Sequence, residues 1–443
     1  MFILHQLLSK FKDDFSHSKK GDERAHWFIY TLLCVIIPFT SSKTSNLLRC
    51  LHTVFGFTHI TKRRFYTFMA STKIPWQRLW DSIRKAIAYP LTDGRLLVAL
   101  DDCINPKTGK KIFGCHRFFD HAAKCNQSRY PWAQNFVTAG LLAKIKGRWA
   151  CLPLASRFYH PKKGFEEKEI RIGKKKLSFQ TKIEQALEML LELYHAYKAP
   201  LLVVADSWFG NNGLWAPLHK ILGAEAHLLS RLRSNIKLND LNMPSGKKKR
   251  GRPRKYGAFL GNTSALASRY RDRARSYNVN LYGRSREVMA FDRVLMLKTL
   301  KCSVRVVWIF RKTQWIALFT TDLSLSVEQI LEYYGARWKI EAGFKELKRE
   351  IGSSQSQCRN PQAVVNHLNF SMMAATVIWI YAMQLEKTPK RRHAVTGRNH
   401  FAFSDVRRNI TEAVMNEDFS TICSHQHKSL LNSIAAALLR IAA

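Results

Sequence analysis

Residues 95–102 read Arg95-Leu-Leu-Val-Ala-Leu-Asp-Asp102, and residues 200–206 read Pro200-Leu-Leu-Val-Val-Ala-Asp206. Both are unbroken apolar runs closed by acid. Neither alternates polar with apolar residues, as a strand with one wet face would. Short continuous runs of this kind fit strands buried on both faces of a helix-covered sheet. In such sheets ligands gather in the crevice beyond the carboxyl ends of the strands. A carboxylate placed there has lost water and needs a hydrogen bond, a cation or a metal in exchange. One acid in that position is commonplace as a turn or capping residue. Two, on separate strands this apolar, point to a site.

Strand texture also appears near Lys111–Phe119, Phe136–Leu142 and Trp149–Pro153, and again at Val304–Phe310 and Trp315–Thr320. Between these groups, Ser178–Tyr197 has Ile183, Ala186, Leu187, Leu190, Leu191 and Tyr194 at helical spacing. A long helix is expected from Ser326 to Glu350 and a mostly apolar one from Pro361 to Leu385, with a basic tail from Lys387. Interleaved strands and helices give an α/β class. The first 90 or so residues are expected to be helical, with Ser41, Ser42 and Thr44 as caps for a helix through Leu47 and Leu51. Within them, Thr58–Tyr66 carries Lys62, Arg63 and Arg64 on its second half. A helix-turn-helix facing DNA and a bundle with a solvated basic face fit that stretch equally well.

The 443-residue chain has 72 Lys plus Arg against 32 Asp plus Glu, a formal charge of +40. Its 46% hydrophobic and 12% aromatic content excludes a disordered polyelectrolyte. A folded protein this basic is matched to a polyanion, with nucleic acid ahead of an anionic membrane surface. No run approaches the roughly 20 consecutive apolar residues of a membrane span. Trp27–Phe39, the longest candidate, reads as a buried helix, and no signal peptide is read at the start. The nine cysteines include no Cys-x-x-Cys, which suits reduced thiols. The group Cys103, Cys115, His116, His121 and Cys125 matches no zinc spacing. Between Asn211 and Arg305 there are 21 bases and five acids, a surplus of +16. At its centre, Arg250-Gly-Arg-Pro253 matches the core of an AT-hook, whose arginines enter a narrow minor groove. A loop making only phosphate contacts fits those four residues as well.

On the long helix stand Tyr334, Arg337, Glu341 and Lys348. At 100° per residue they fall within about a 60° arc, a single stripe. Trp338, Ile340, Phe344 and Leu347 supply a separate core face. An ordinary salt-bridged stripe would also contain an Arg337–Glu341 pair. One acid framed by cations suits a metal ligand beside phosphate-binding groups.

The spacing Tyr334-(2)-Arg337-(3)-Glu341-(6)-Lys348, with Val203-Val-Ala-Asp206-Ser-Trp-Phe-Gly210, resembles a large group of bacterial insertion-sequence DDE transposases. The resemblance covers about residues 95–385. It implies an RNase H-like core, a mixed sheet flanked by helices, with a mainly β insertion domain and a helical N-terminal domain. The corresponding partition is 1–90 helical and DNA-binding, 91–210 first part of the core, and 211–305 basic insertion. Residues 306–385 form the second part with the signature helix, and 386–443 a basic helical tail. Asp206 and Glu341 resemble the second and third acids of the catalytic triad. The first is Asp101 or its neighbour Asp102. Asp101 is preferred because it directly ends the strand, and Asp102 points to the opposite face if the strand continues. The implied cofactor is a pair of Mg²⁺ ions, or Mn²⁺ as a substitute, about 3.5–4 Å apart and held by Asp101, Asp206 and Glu341.

The implied activity is cut-and-paste transposition: hydrolysis at the element ends, a hairpin intermediate and strand transfer by the freed 3′-OH. Tyr334, Arg337, Lys345 and Lys348 would hold DNA, with Arg250 and Arg252 in the insertion. Trp308 and Trp315 are candidate platforms for an extruded base. The implied partners are transposon-end and target DNA and a second copy of the chain. No membrane is expected, and the implied setting is the bacterial cytoplasm at the nucleoid. Two other readings are an inactive transposase-derived DNA-binding protein and a structure-specific RNase H-like nuclease.

Overall fold

The computed structural model describes residues 3–417, apart from 39–40, 122, 168, 243–254, 394–395 and 397–399. The AT-hook-like residues Arg250 and Arg252, and the tail beyond 417, lie outside the described residues.

The apolar runs become strands of one large mixed sheet. Its first five long strands are β1 (Leu96–Pro106), β2 (Trp132–Ile145), β3 (Arg148–Tyr159), β4 (Leu201–Ala205) and β5 (Ala226–Leu232). Strands β1, β2 and β3 are antiparallel neighbours, whereas β4 runs parallel to β1, and β5 parallel to β4. The resulting order β3-β2-β1-β4-β5 is that of an RNase H-like core. The parallel pairs need crossovers, and helices α5 (Lys182–Tyr197) and α6 (Asn212–Leu222) supply them. Every residue from Leu96 to Leu100 and from Leu201 to Ala205 is buried, as an unbroken apolar run requires.

Among its described residues, the 211–305 segment forms no sheet of its own. Its hairpin β6 (Arg275–Leu281) and β7 (Arg284–Leu297) pairs through β8 (Cys302–Arg311) and β9 (Gln314–Thr320) onto β5, in a sheet of 12 strands. Strand texture near Lys111–Phe119 reduces to Cys115–Arg117.

Four helices precede the sheet among those that build the N-terminal region: α1 (Lys19–Ile36), α2 (Thr44–Thr53), α3 (Lys62–Met69) and α4 (Trp76–Lys85). The helix-turn-helix reading of 58–66 is not favoured. The link between α2 and α3 spans residues 54–61, longer than the three- or four-residue turn of that motif. Arg64 also pairs with Glu23 at 2.6 Å and lies over the Trp27 ring.

After the sheet come α7 (Val327–Glu346) and α8 (Pro361–Gln384). Ser326 and Gln329 close a reciprocal capping box that fixes where α7 begins. Helix α8 is long and apolar enough to cross a bilayer, but 89% of its most apolar window is buried inside the protein. Asn366, His367 and Ser371 interrupt its apolar run and are all buried with internal partners. Trp76 and Trp80 of α4 donate their indole N–H groups to Asn366 and Asn369, at 2.8 and 2.9 Å. The N-terminal helices are thereby docked on the core's central helix.

Candidate active site

Register builds the site. Leu100 pairs with Ala205, so one further step sets Asp101, which lies within β1 and does not end it as the apolar run suggests, beside Asp206 just past the carboxyl end of β4. Strand β1 continues to Pro106, so Asp101 and Asp102 face opposite sides of the sheet. Asp102 accepts from Asn135 at 2.7 Å and from Lys182 of α5 at 2.8 Å. Asp101 faces α7, where Arg337 Nη1 lies 3.3 Å from its Oδ2.

Arg337 joins two of the expected acids. Its Nη2 donates to Glu341 Oε1 at 2.8 Å, one helical turn on. Its side chain is 6% exposed, and its guanidinium lies 5.6 and 5.5 Å from the Tyr334 and Trp338 ring centroids. Arg337 therefore stands between Asp101 and Glu341 as their common counter-ion. Asp101 pays for this position: burial, with the Asp206 and Asp102 charges adding to it, pushes its carboxyl up to about 7. The Arg337 charge and the Asp102 backbone N–H pull the other way.

Asp206 is held through one oxygen. Its Oδ1 accepts the backbone N–H groups of Trp208 and Phe209, at 3.0 and 3.1 Å. Its carbonyl accepts from Ser230 Oγ at 2.8 Å and from Gly210 N at 2.9 Å. Gly210 is required here because a Cβ would lie 2.0 Å from Ser230 Oγ.

Lys348 reaches the same face by a different route from the one the 100° stripe assumes. Residues Leu347–Ile351 form a π turn, which widens the helix after Glu346. Lys348 contacts Cys103, two residues beyond Asp101 and hence on its side of β1. Gly352 ends the turn with φ +79°, where a Cβ would press on Gln355 and Ser42. Tyr334 is half-buried, and burial raises its hydroxyl pKa. Lys345 is exposed and lines a cleft with Trp338 and Arg349.

Of the two expected base platforms, Trp308 must be withdrawn. It is 0% exposed, donates to the Thr263 carbonyl at 3.1 Å and packs edge-on against Tyr270. A base could reach it only by opening the core. Trp315 is half-buried at the start of β9. The exposed aromatic nearest the acids in sequence is Trp208, 45% exposed. It was present in the Asp206-Ser-Trp-Phe-Gly210 stretch, but a lone Trp after a turn carries no sequence signal of exposure.

Oxygen donors of this kind suit hard divalent cations. An acid raised to about 7 by burial, with neighbouring negative charge adding to it, is also one that a cation would relieve. Among the described residues, no three His, Cys, Asp or Glu side chains converge closely enough to hold a metal as they stand. Arg337 would have to give up its two carboxylates for the acids to close on an ion.

Residues 52–280 match the family model described as DDE superfamily endonuclease. The match spans β1 and β4 with Asp101 and Asp206, and it ends before α7 and Glu341. No curated protein matches the chain. A match over more than half of the sequence, on a sheet of RNase H-like order, places this chain in the DDE superfamily endonuclease family.

Proposed function

We propose that the chain is a DNA transposase that cuts at element ends and rejoins them by strand transfer, with Asp101, Asp206 and Glu341 as its catalytic acids. One observation carries the reading: Arg337 links the strand acid Asp101 to the helix acid Glu341, while the sheet register sets Asp206 beside Asp101. The three acids would hold two Mg²⁺ ions, or Mn²⁺. When bound, such ions supply charge for the attacking and leaving oxygens of an in-line displacement.

The protein's own groups do the rest. Asp102 is bonded to Lys182 and Asn135 on the far face of β1, which supports Asp101 as the first acid. Arg337, released from the carboxylates, turns to a phosphate with the geometry its planar fork favours. The Tyr334 hydroxyl and the Lys348 ammonium hold phosphates on either side, and Lys345 meets the backbone further out. Water would cut one strand at the element end; the freed 3′-OH would attack the opposite strand, closing a hairpin and releasing the flanking DNA. A second water would reopen the hairpin, and the regenerated 3′-OH would then attack target DNA. Two copies of the chain would pair two ends, and the basic 211–305 segment would grip the flanking duplex.

Glu341→Gln tests the reading. It should abolish cutting of element-end DNA while leaving binding close to wild type. Cutting at the wild-type rate would remove Glu341 from the catalytic set.

A further inference from the structure

Lys348 differs from the other residues of its stripe in what holds it. Tyr334, Arg337 and Glu341 lie inside α7, where a regular hydrogen-bond ladder fixes their direction. Lys348 lies past its end, in the π turn Leu347–Ile351. Single π turns are rare and collect at functional sites. This one closes on the Leu347 carbonyl, which accepts from the Gly352 and Ser353 N–H groups, the latter at 2.9 Å. Closure within the turn does not by itself aim Lys348 at Cys103 on β1, so the turn must also be held to the body of the protein.

The hold comes from elements remote in sequence. Glu350, within the turn, accepts from Arg407 Nη1 at 3.3 Å. Arg407 stands on α9 (Phe403–Asn416), and its Nε donates to the carbonyl of Ile36, the last residue of α1, at 2.7 Å. Arg407 is 5% exposed, and burial works against its charge while Glu350 offsets part of that. An apolar side chain of similar volume often holds a fold as well as a buried ion pair does, so stability alone does not call for arginine here. What the planar fork supplies is direction: donors at set angles align the turn with the end of α1. Ser42, in the link between α1 and α2, adds a second tie, donating through Oγ to the Gly352 carbonyl at 2.6 Å.

We propose that Arg407 is a positioning residue that acts through Lys348: by tying the π turn to α1, it makes the place of the Lys348 ammonium depend on the seating of the N-terminal helices. The role of that ammonium at a phosphate rests on the transposase reading; the tie between Arg407 and the π turn does not. A chain with α1 unseated would keep its acids and lose one phosphate contact, so the seating of α1 would govern cutting as well as folding.

The test uses the full chain as wild type, Arg407→Leu, Glu350→Ala, Lys348→Ala, and Arg407→Leu combined with Lys348→Ala. Binding of a short linear duplex is titrated in EDTA over a range of salt, and cutting of element-end DNA is followed in Mg²⁺. Each single substitution should flatten the slope of log affinity against log salt by up to about 0.9, the share of one phosphate contact. Each should slow cutting by on the order of 100-fold, as a small misplacement near the reacting atoms does. Arg407→Leu removes a positive charge and Glu350→Ala a negative one, so a general charge effect would move their slopes in opposite directions. Slopes that do so, or that stay at the wild-type value in any single variant, overturn the inference. The double variant should be no worse than Lys348→Ala alone, and additive losses would equally overturn it. Glu350 is exposed, so its variant decides the matter if Arg407→Leu melts too low to assay. A wild-type chain that cuts no DNA in Mg²⁺ or Mn²⁺ would instead sink the transposase reading, and the salt slopes would still decide the tie.

Discussion

Asn366 is where the N-terminal helices and α8 are joined, and replacing it by Ala should loosen that joint. Its side chain is 0% exposed. Nδ2 donates to the carbonyls of Met69 and Ser71, both at 2.9 Å, and Oδ1 accepts from Trp76 at 2.8 Å and from Gln362 at 2.9 Å. Asn366→Ala removes all four bonds together. Gln362 is half-buried and can turn to water, whereas the Trp76 N–H and the two carbonyls stay inside or at the edge of the interface. Each buried polar group left without a partner costs about 1–3 kcal/mol. Three such groups, with Ser71 partly wetted, give a loss on the order of 3–5 kcal/mol. The full chain should melt several degrees earlier, with proteolytic cleavage appearing first between the N-terminal helices and β1. Asn369→Ala, which removes the single bond from Trp80, should cost about 1 kcal/mol. Melting of Asn366→Ala at the wild-type temperature, with unchanged proteolysis, would refute the idea that this side chain holds the docking together.

Burial pushes Glu346 up to about 7, against the lowering influence of Arg148 and Lys339. Because its folded value lies above its unfolded value of 4.5, stability should fall as pH rises from about 4.5 to 7; Glu346→Gln should flatten that slope and add roughly 2–3 kcal/mol at pH 8, read from denaturant melts. Asp101→Asn should abolish DNA cutting, whereas Asp102→Asn should spare most of it but lower the melting temperature by weakening the Lys182 and Asn135 bonds; the reverse pattern in a nicking assay would exchange their roles. Gly210→Ala sets a Cβ 2.0 Å from Ser230 Oγ and should reduce cutting far more than DNA binding. Ser230→Gly on that background should restore part of the rate, and no restoration would mean that the contact is not the cause.

The acids at 101 and 206 were legible because a fully buried strand leaves no room for a casual carboxylate. Glu341 was legible because α7 is regular as far as Glu346, so spacing translates directly into direction. Lys348 was placed on the right side for an incomplete reason: the π turn at Leu347–Ile351 breaks the 100° arithmetic, and period alone does not reveal such a turn. Trp308 shows a different limit. An aromatic within a strand looks the same in sequence whether it meets solvent or, as here, Tyr270 and Phe291. The role of Arg337 as counter-ion to two acids depends on β1 meeting α7, a contact between residues 236 apart in the chain. The same holds for Asn366, three of whose four partners come together with it only once α8 is wrapped by the N-terminal helices.

The doubled acid of β1 makes the register of that strand decide which carboxylate faces Arg337. A one-residue slip sends every side chain to the other face. In one direction Asp102 would take the place of Asp101, but only by driving Asp101 into the fully buried place of Leu100, where an unpaired charge is costly. The alignment is held from outside the apolar run as well. Three clamps do so: Lys182, which would meet Cys103 after such a slip; Arg95, bound to Asp322 at 2.7 Å; and Lys107, whose ammonium donates to the Ser354 and Ser356 carbonyls at 2.6 and 3.0 Å. Two of these clamps lie outside the apolar run, at either end of the strand, so the choice of carboxylate that faces Arg337 is also guarded at a distance from it.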